Sequence, residues 1–214
     1  MRKKIFALIM ALIMAAVPVN AAERITKNAD AIFKPISGCN GIEFGTSKDD
    51  VINIVITDDM VLDSDYQLLE DADGSMLFIT NQKVSRFDTT TSYYFEDDKL
   101  YSVAYNLRLS HTTFTQYLLD FYDLVDVYES VYGKGETTID IWYDDLFKSE
   151  EESEIAFAIA RGDLSKYVIW NGSDDSSVLL YANGKDNKIS LAAVYRDKDH
   201  NPLKSGEKKN TNGV

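Results

Sequence analysis

Between Thr113 and Gly135 the large apolar residues recur at helical spacing. Phe114, Tyr117, Leu118, Phe121, Val125, Tyr128 and Tyr132 form one stripe, with Asp120, Asp123 and Glu129 off it. Thr113-Phe114-Thr115-Gln116 has the spacing of a capping box, and Gly133 and Gly135 supply the stop. A helix with so broad an aromatic face must bury it, and the flanking segments say against what. Ser92 to Glu96 and Lys99 to Leu109 flank Asp97-Asp98 as a hairpin. In the second strand Tyr101, Val103, Tyr105, Leu107 and Leu109 share one face, and Ser102, Asn106 and Arg108 the other. Downstream, Thr137 to Tyr143, Lys166 to Trp170, Ser177 to Ala182 and Lys188 to Arg196 read as strands. Asn171-Gly172-Ser173 and Asn183-Gly184-Lys185 are the expected turns.

Two shorter helices complete the pattern. Thr46-Ser47-Lys48-Asp49 caps one carrying Val51, Ile52 and Val55, and Ser149 to Gly162 gives another with Glu150, Glu151 and Glu152 in its first turn. The order is helix and strands, then helix and strands again. This implies an α+β fold of two tandem units, each a helix followed by antiparallel strands, with the helices packed on one face of the sheet. The expected divisions are residues 1–21, 22–40 as a leader, 41–111 and 112–197 as the two units, and 198–214 as a loose tail.

Residues 1–21 are the layout of a secretory signal peptide. Arg2, Lys3 and Lys4 precede 13 apolar residues from Ile5 to Val17, and Val19 and Ala21 place cleavage before Ala22. That run is shorter than the roughly 20 residues a membrane-spanning helix needs, so no transmembrane segment is expected. The implied location is secreted, extracellular or periplasmic. Removing the leader takes three of the 22 basic residues and none of the 35 acidic ones, leaving a net charge of −16. Such a balance argues against nucleic acid as a partner and favours another protein, one of basic character. Oligomeric state is open.

Cys39 is the sole cysteine, so no internal disulfide can form and stability must come from packing. Ile36-Ser37-Gly38-Cys39 has the look of a lipidation box, but five charged residues separate it from the apolar run. Residues 49–74 hold nine carboxylates and no lysine or arginine. The spacing around Asp71, Asp73 and Gly74 does not fit a calcium loop, and a solvated acidic loop is expected.

Gly41-Ile42-Glu43-Phe44-Gly45-Thr46-Ser47-Lys48-Asp49-Asp50-Val51, followed by Tyr94-Phe95-Glu96-Asp97-Asp98-Lys99-Leu100-Tyr101-Ser102-Val103, resembles the pattern of small exported bacterial proteins built from tandem helix-plus-antiparallel-sheet units. β-Lactamase-inhibitory proteins and the small lipoproteins of outer-membrane assembly share that plan. The resemblance implies the same architecture and a habit of binding proteins through an exposed sheet face. Two features depart from it. Ala22, where the lipoproteins carry a cysteine, follows the leader, and one cysteine cannot provide the inhibitors' disulfides.

Catalytic chemistry has little to draw on. His111 and His200 are the only histidines, Cys39 with His111 is the only candidate for a nucleophile with its base, and the many carboxylates leave a glycosidase-type acid and base open by inventory. Neither the His-Glu-x-x-His zinc pattern nor a phosphate-binding glycine loop occurs. No cofactor, no metal and no enzymatic activity are expected. The expectation is a binding or interaction module, with an envelope-attached structural or assembly factor as the alternative and a small hydrolase behind both. Trp142, Trp170 and Tyr181, all on strands, are the candidate binding residues, with burial as the competing account of each.

Overall fold

The computed structural model describes residues 35–57, 66–70, 76–84, 86–135, 137–144 and 148–201. The signal peptide, most of the leader, much of the acidic stretch and most of the tail lie outside them. The described chain is α+β. Helices α1 (Lys48–Thr57), α2 (Phe114–Tyr132) and α3 (Glu152–Arg161) accompany an eight-stranded sheet and a two-stranded one. The small sheet is β1 (Gly38–Cys39) with β2 (Ile42–Glu43). The large one comprises β3 (Gln67–Glu70), β4 (Met76–Val84), β5 (Phe87–Glu96), β6 (Lys99–Leu107), β7 (Thr137–Trp142), β8 (Leu164–Asn171), β9 (Ser177–Lys185) and β10 (Lys188–Arg196). Its order is β3-β4-β5-β6-β10-β9-β8-β7, and every neighbouring pair is antiparallel. No helix among the described residues is long and apolar enough to cross a membrane.

Local chemistry explains where these elements begin and end. The α1 cap sits one residue later than the sequence suggests. Ser47 Oγ accepts the Asp50 amide at 3.3 Å and donates to its carboxylate at 2.6 Å, whereas the Thr46 hydroxyl donates to the Glu43 carbonyl. Thr113 has the extended backbone of an N-cap, but its hydroxyl makes no capping bond. Gly133 and Gly162 stop α2 and α3 at φ +81° and +89°.

The β5–β6 turn is Asp97-Asp98, as expected, with both residues left-handed at φ +49° and +63°. The β9–β10 turn is displaced. Strand β9 runs through Asn183-Gly184 to Lys185, and Asp186-Asn187, at φ +53° and +60°, make the reversal. Gly184 serves packing instead. A Cβ there would run into the Ile159 carbonyl oxygen at the end of α3, so only glycine lets the strand pass under the helix.

One continuous core holds Val51 and Val55 of α1, Leu118, Phe121, Leu124 and Tyr128 of α2, and Ala156, Ala158 and Ile159 of α3. They pack with Tyr93, Val103, Tyr105, Val168, Trp170, Leu180, Leu191 and Tyr195 of the sheet. Leu124 joins the buried face of α2 although it lies off the stripe read from the sequence. The folded part begins before Gly41, since Ile36 and Cys39 belong to the core, and extends past Asp197, since Asn201 is buried and donates to the Asp175 carbonyl at 2.7 Å.

Gly184→Ala is expected to destabilise by about 1–3 kcal/mol, the usual cost of forcing atoms into a packed contact. The measurement is the midpoint of chemical denaturation, with the exposed turn substitution Asp186→Asn near neutral beside it.

Candidate functional site

The sheet has a second face, and strand register assembles it. Tyr94, Ser102, Arg196 and Ser177 lie in one cross-strand row. Ser92, Ala104, Val194, Leu179 and Ile169 form the next, and Thr90, Asn106, Ala192, Tyr181 and Tyr167 the third. A bulge between Tyr94 and Phe95 adjusts the end of β5 and helps place Tyr101, whose ring lies 6.3 Å from that of Tyr94. Small side chains therefore make the floor, and tyrosines stand around it.

Ala104, Tyr181, Ala192 and Val194 form a buried cluster separate from the main core, with Tyr94, Tyr167 and Leu179 packed against it. No described helix contributes a residue to this cluster. Tyr167 and Tyr181 have ring centroids 6.3 Å apart, and burial pushes the Tyr167 hydroxyl up to about 12. Ser102, which the sequence placed on a polar face, is 2% exposed, and Ala104 on the same face is 6% exposed.

Arg196 is the unusual member. It closes a strand whose preceding five residues are all buried, and it is itself only 6% exposed. Among the described residues it forms no ion pair with a carboxylate. Burial pulls its pKa down, and the nearby Tyr101, Tyr94 and Tyr181 oxygens pull the other way. Taking a guanidinium out of water costs on the order of several kcal/mol unless polar neighbours replace its hydration.

At the Tyr101 edge this face meets a cleft of about 540 Å³. Glu43, Glu96, Asp97, Asp174, Asp197 and Asp199 line it together with Lys99, Lys198 and His200, so acids outnumber bases there. The described residues contain no group of acids, histidine and cysteine placed to hold a metal ion. His200 stacks on Tyr101 at 4.1 Å and bridges Glu96 at 2.9 Å and Asp197 at 2.7 Å. A second cavity, apolar and about 140 Å³, lies between α2 and β5, β6 and β10, but offers no charged anchor.

The three aromatics picked from the sequence are not brought together. Trp170 is in the main core, 2% exposed. Its Nε1 donates to the Gly133 carbonyl at 2.9 Å, and its ring packs 5.4 Å from Tyr128. Trp142 packs partly buried against the same core. Tyr181 alone joins the second face. Sequence reading missed Arg196, Tyr94 and Tyr167. The usable signal was a charge closing the apolar run Leu191-Ala192-Ala193-Val194-Tyr195.

Cys39 and His111 keep different company. Tyr105 donates to Cys39 Sγ at 3.3 Å, and burial pushes the thiol up to about 12. His111 Nε2 lies 2.5 Å from Asp120, and its ring meets Tyr117 edge-on. Compared with known proteins, the chain matches no family model, no curated protein and no solved structure.

Two outcomes follow from these environments. A disulfide-exchange reagent at pH 8 should modify Cys39 only as fast as the protein unfolds, because the thiolate is suppressed. Fast stoichiometric labelling of the native protein would contradict the burial. For His200, burial lowers the pKa, but the Glu96 and Asp197 hydrogen bonds and charges outweigh it and raise the value above the ordinary 6.5. The stabilisation is thus fully present below about pH 6.5 and is lost as pH rises through the higher folded-state value. His200→Gln should flatten the pH dependence of the melting temperature between pH 6 and 8.

Proposed function

We propose that this is an exported, non-catalytic binding protein that recognises another protein through the second face of its sheet. The observation that carries the reading is the group of Tyr94, Tyr167 and Tyr181 with Leu179, over a floor of small residues, to which no described helix contributes. Tyrosine and arginine dominate the energetics of protein interfaces, and a sheet face offers them on a rigid support.

The finer architecture belongs to the same reading. The strand order joins β3 to β6 and β7 to β10 as two runs, one after α1 and the other interleaved with α2 and α3. This favours two tandem helix-plus-sheet units with the helices on one face. It is the plan of β-lactamase-inhibitory proteins and outer-membrane-assembly lipoproteins, which the sequence resembles. Export rests on the basic, apolar and small-residue order of residues 1–21. A basic partner suits both the chain's net charge of −13 and the carboxylate-lined cleft beside Tyr101.

The test places a photo-crosslinking amino acid at Tyr94 or Tyr167, and separately at Val127 on the exposed side of α2, in cells exporting the protein. The expected outcome is one protein species crosslinked from both sheet positions, absent from Val127, and reduced at least tenfold by Tyr181→Ala at unchanged protein level. Equal labelling from all three positions, or none from the sheet, would refute the proposal.

A further inference from the structure

Beyond the sheet-face reading, and independent of it, we propose that the cavity beneath α2 is a binding site for a neutral aromatic molecule of one ring. The cavity measures about 140 Å³ and lies between α2 and strands β4, β5, β6 and β10, on the side of the sheet that faces α2 and away from Tyr181. An apolar cavity of about 150 Å³ is large enough to take up one benzene. This one opens to solvent. Val127 and Val131, one turn apart on α2, both line it and are 49% and 66% exposed. Its inner wall is closed, since Leu124, Tyr128, Ala193 and Tyr195 are buried.

The lining selects by charge and polarity. No charged side chain is among the described lining residues, and the hydroxyls there are turned to partners within the protein. Tyr195 donates to Tyr128 at 3.3 Å, and Tyr132 is hydrogen-bonded to Tyr195. Tyr105 donates to Cys39 at 3.3 Å, and Thr89 to the Gln82 carbonyl at 3.1 Å. A charged ligand would lose its hydration there with nothing to replace it, whereas a hydrocarbon has no hydrogen bond to give up. The rings of Phe87, Tyr105, Tyr128, Tyr132 and Tyr195 all border the space, and an aromatic guest can meet them edge-on or offset.

Two ties fix the spacing of helix and sheet at this place. Arg86 lies over the Phe87 ring of β5, 4.8 Å from its centre, and holds Asp120 and Asp123 of α2 at 3.2 and 2.6 Å. The Tyr195–Tyr128 hydrogen bond ties β10 to the same helix. A space formed in advance asks little ordering of the protein when a guest enters.

The experiment records the methyl resonances of Leu124, Val127 and Val131 in the full mature protein, with Val194 as the reference on the opposite face. Toluene, benzylamine and benzoate are titrated in turn at fixed ionic strength. The expected result is a saturable shift at the three cavity positions with toluene and none at Val194, with benzylamine and benzoate at least about tenfold weaker. Benzylamine is the stringent control, because a chain of net charge −13 attracts it to the surface. Ala193→Leu puts methyl groups into the cavity from its floor. It should leave the denaturation midpoint unchanged or higher and abolish the toluene shifts. Should that variant fail to fold, nuclear Overhauser contacts from toluene to the Leu124 and Val131 methyls locate the site in the native protein. Absence of saturation by toluene overturns the proposal, as does an equal response to benzylamine. So do contacts to Val194 in place of Leu124, or a folded Ala193→Leu that still takes up toluene. Crosslinks from Tyr94 and Tyr167 report on the other face, so the failure of either reading is seen separately from the failure of the other.

Discussion

The seam between β6 and β10 is the contact on which everything else rests. Five residue pairs, from Ala192 opposite Asn106 to Arg196 opposite Ser102, fuse the two runs of strands into one sheet. Asp197 extends the seam by donating its amide to the Tyr101 carbonyl at 3.0 Å, and the Ser102 hydroxyl donates to the Tyr195 carbonyl at 2.8 Å across 93 residues of sequence. Separate from one another, β6 and β10 would both be sheet edges with unpaired backbone groups. Joined, they bury Val103, Tyr105, Ala193 and Tyr195 on one side and Ala104, Ala192 and Val194 on the other. Both the core and the candidate interface are therefore consequences of a single long-range pairing, which carries a large loop-closure cost before it forms.

Because no disulfide is available, the core must define its own geometry, and it does so partly with phenols. Tyr93 donates to Gln82 Oε1 at 3.0 Å, Tyr105 to Cys39 at 3.3 Å and Tyr195 to Tyr128 at 3.3 Å. Tyr105 and Tyr195 meet edge-on at 5.8 Å across the seam. Each hydroxyl must find its partner when buried, which selects one arrangement of α2 over the sheet where a purely aliphatic core would tolerate several. The cost is visible too. Gln82 Nε2 and Thr80 Oγ1 are buried without a described partner.

What the sequence disclosed follows from which interactions are local. Helix α2, the Asp97-Asp98 turn and β10 with its bounds Lys188 and Arg196 all rest on periodicity or on residues adjacent in the chain, and all were legible. The role of Gly184 was not. Asn-Gly is ordinary turn chemistry, and only the passage of α3 overhead makes the glycine a packing residue within a strand. The candidate site was least legible for the same reason. Tyr181 could be picked as an aromatic on a strand, but its separation from Trp170 depends on cross-strand register. Leu180, its neighbour, lies opposite Val168 in the main core, which turns Tyr181 to the other side. Arg196 joins that side through pairs formed with Ser102 and Ser177, one distant in sequence and neither chemically conspicuous.

Register also decides where the one charge in this run of buried residues goes. Arg196 lies beside Ser102 and Ser177, on the face opposite Tyr195, and is 6% exposed. A guanidinium out of water needs polar groups to replace its hydration, and Tyr101, Tyr94 and Tyr181 lie close enough to act on it. A slip of one residue in the β6–β10 pairing would carry Arg196 toward the apolar core and Tyr195 out of it, so charge and phenol together hold the seam in one register.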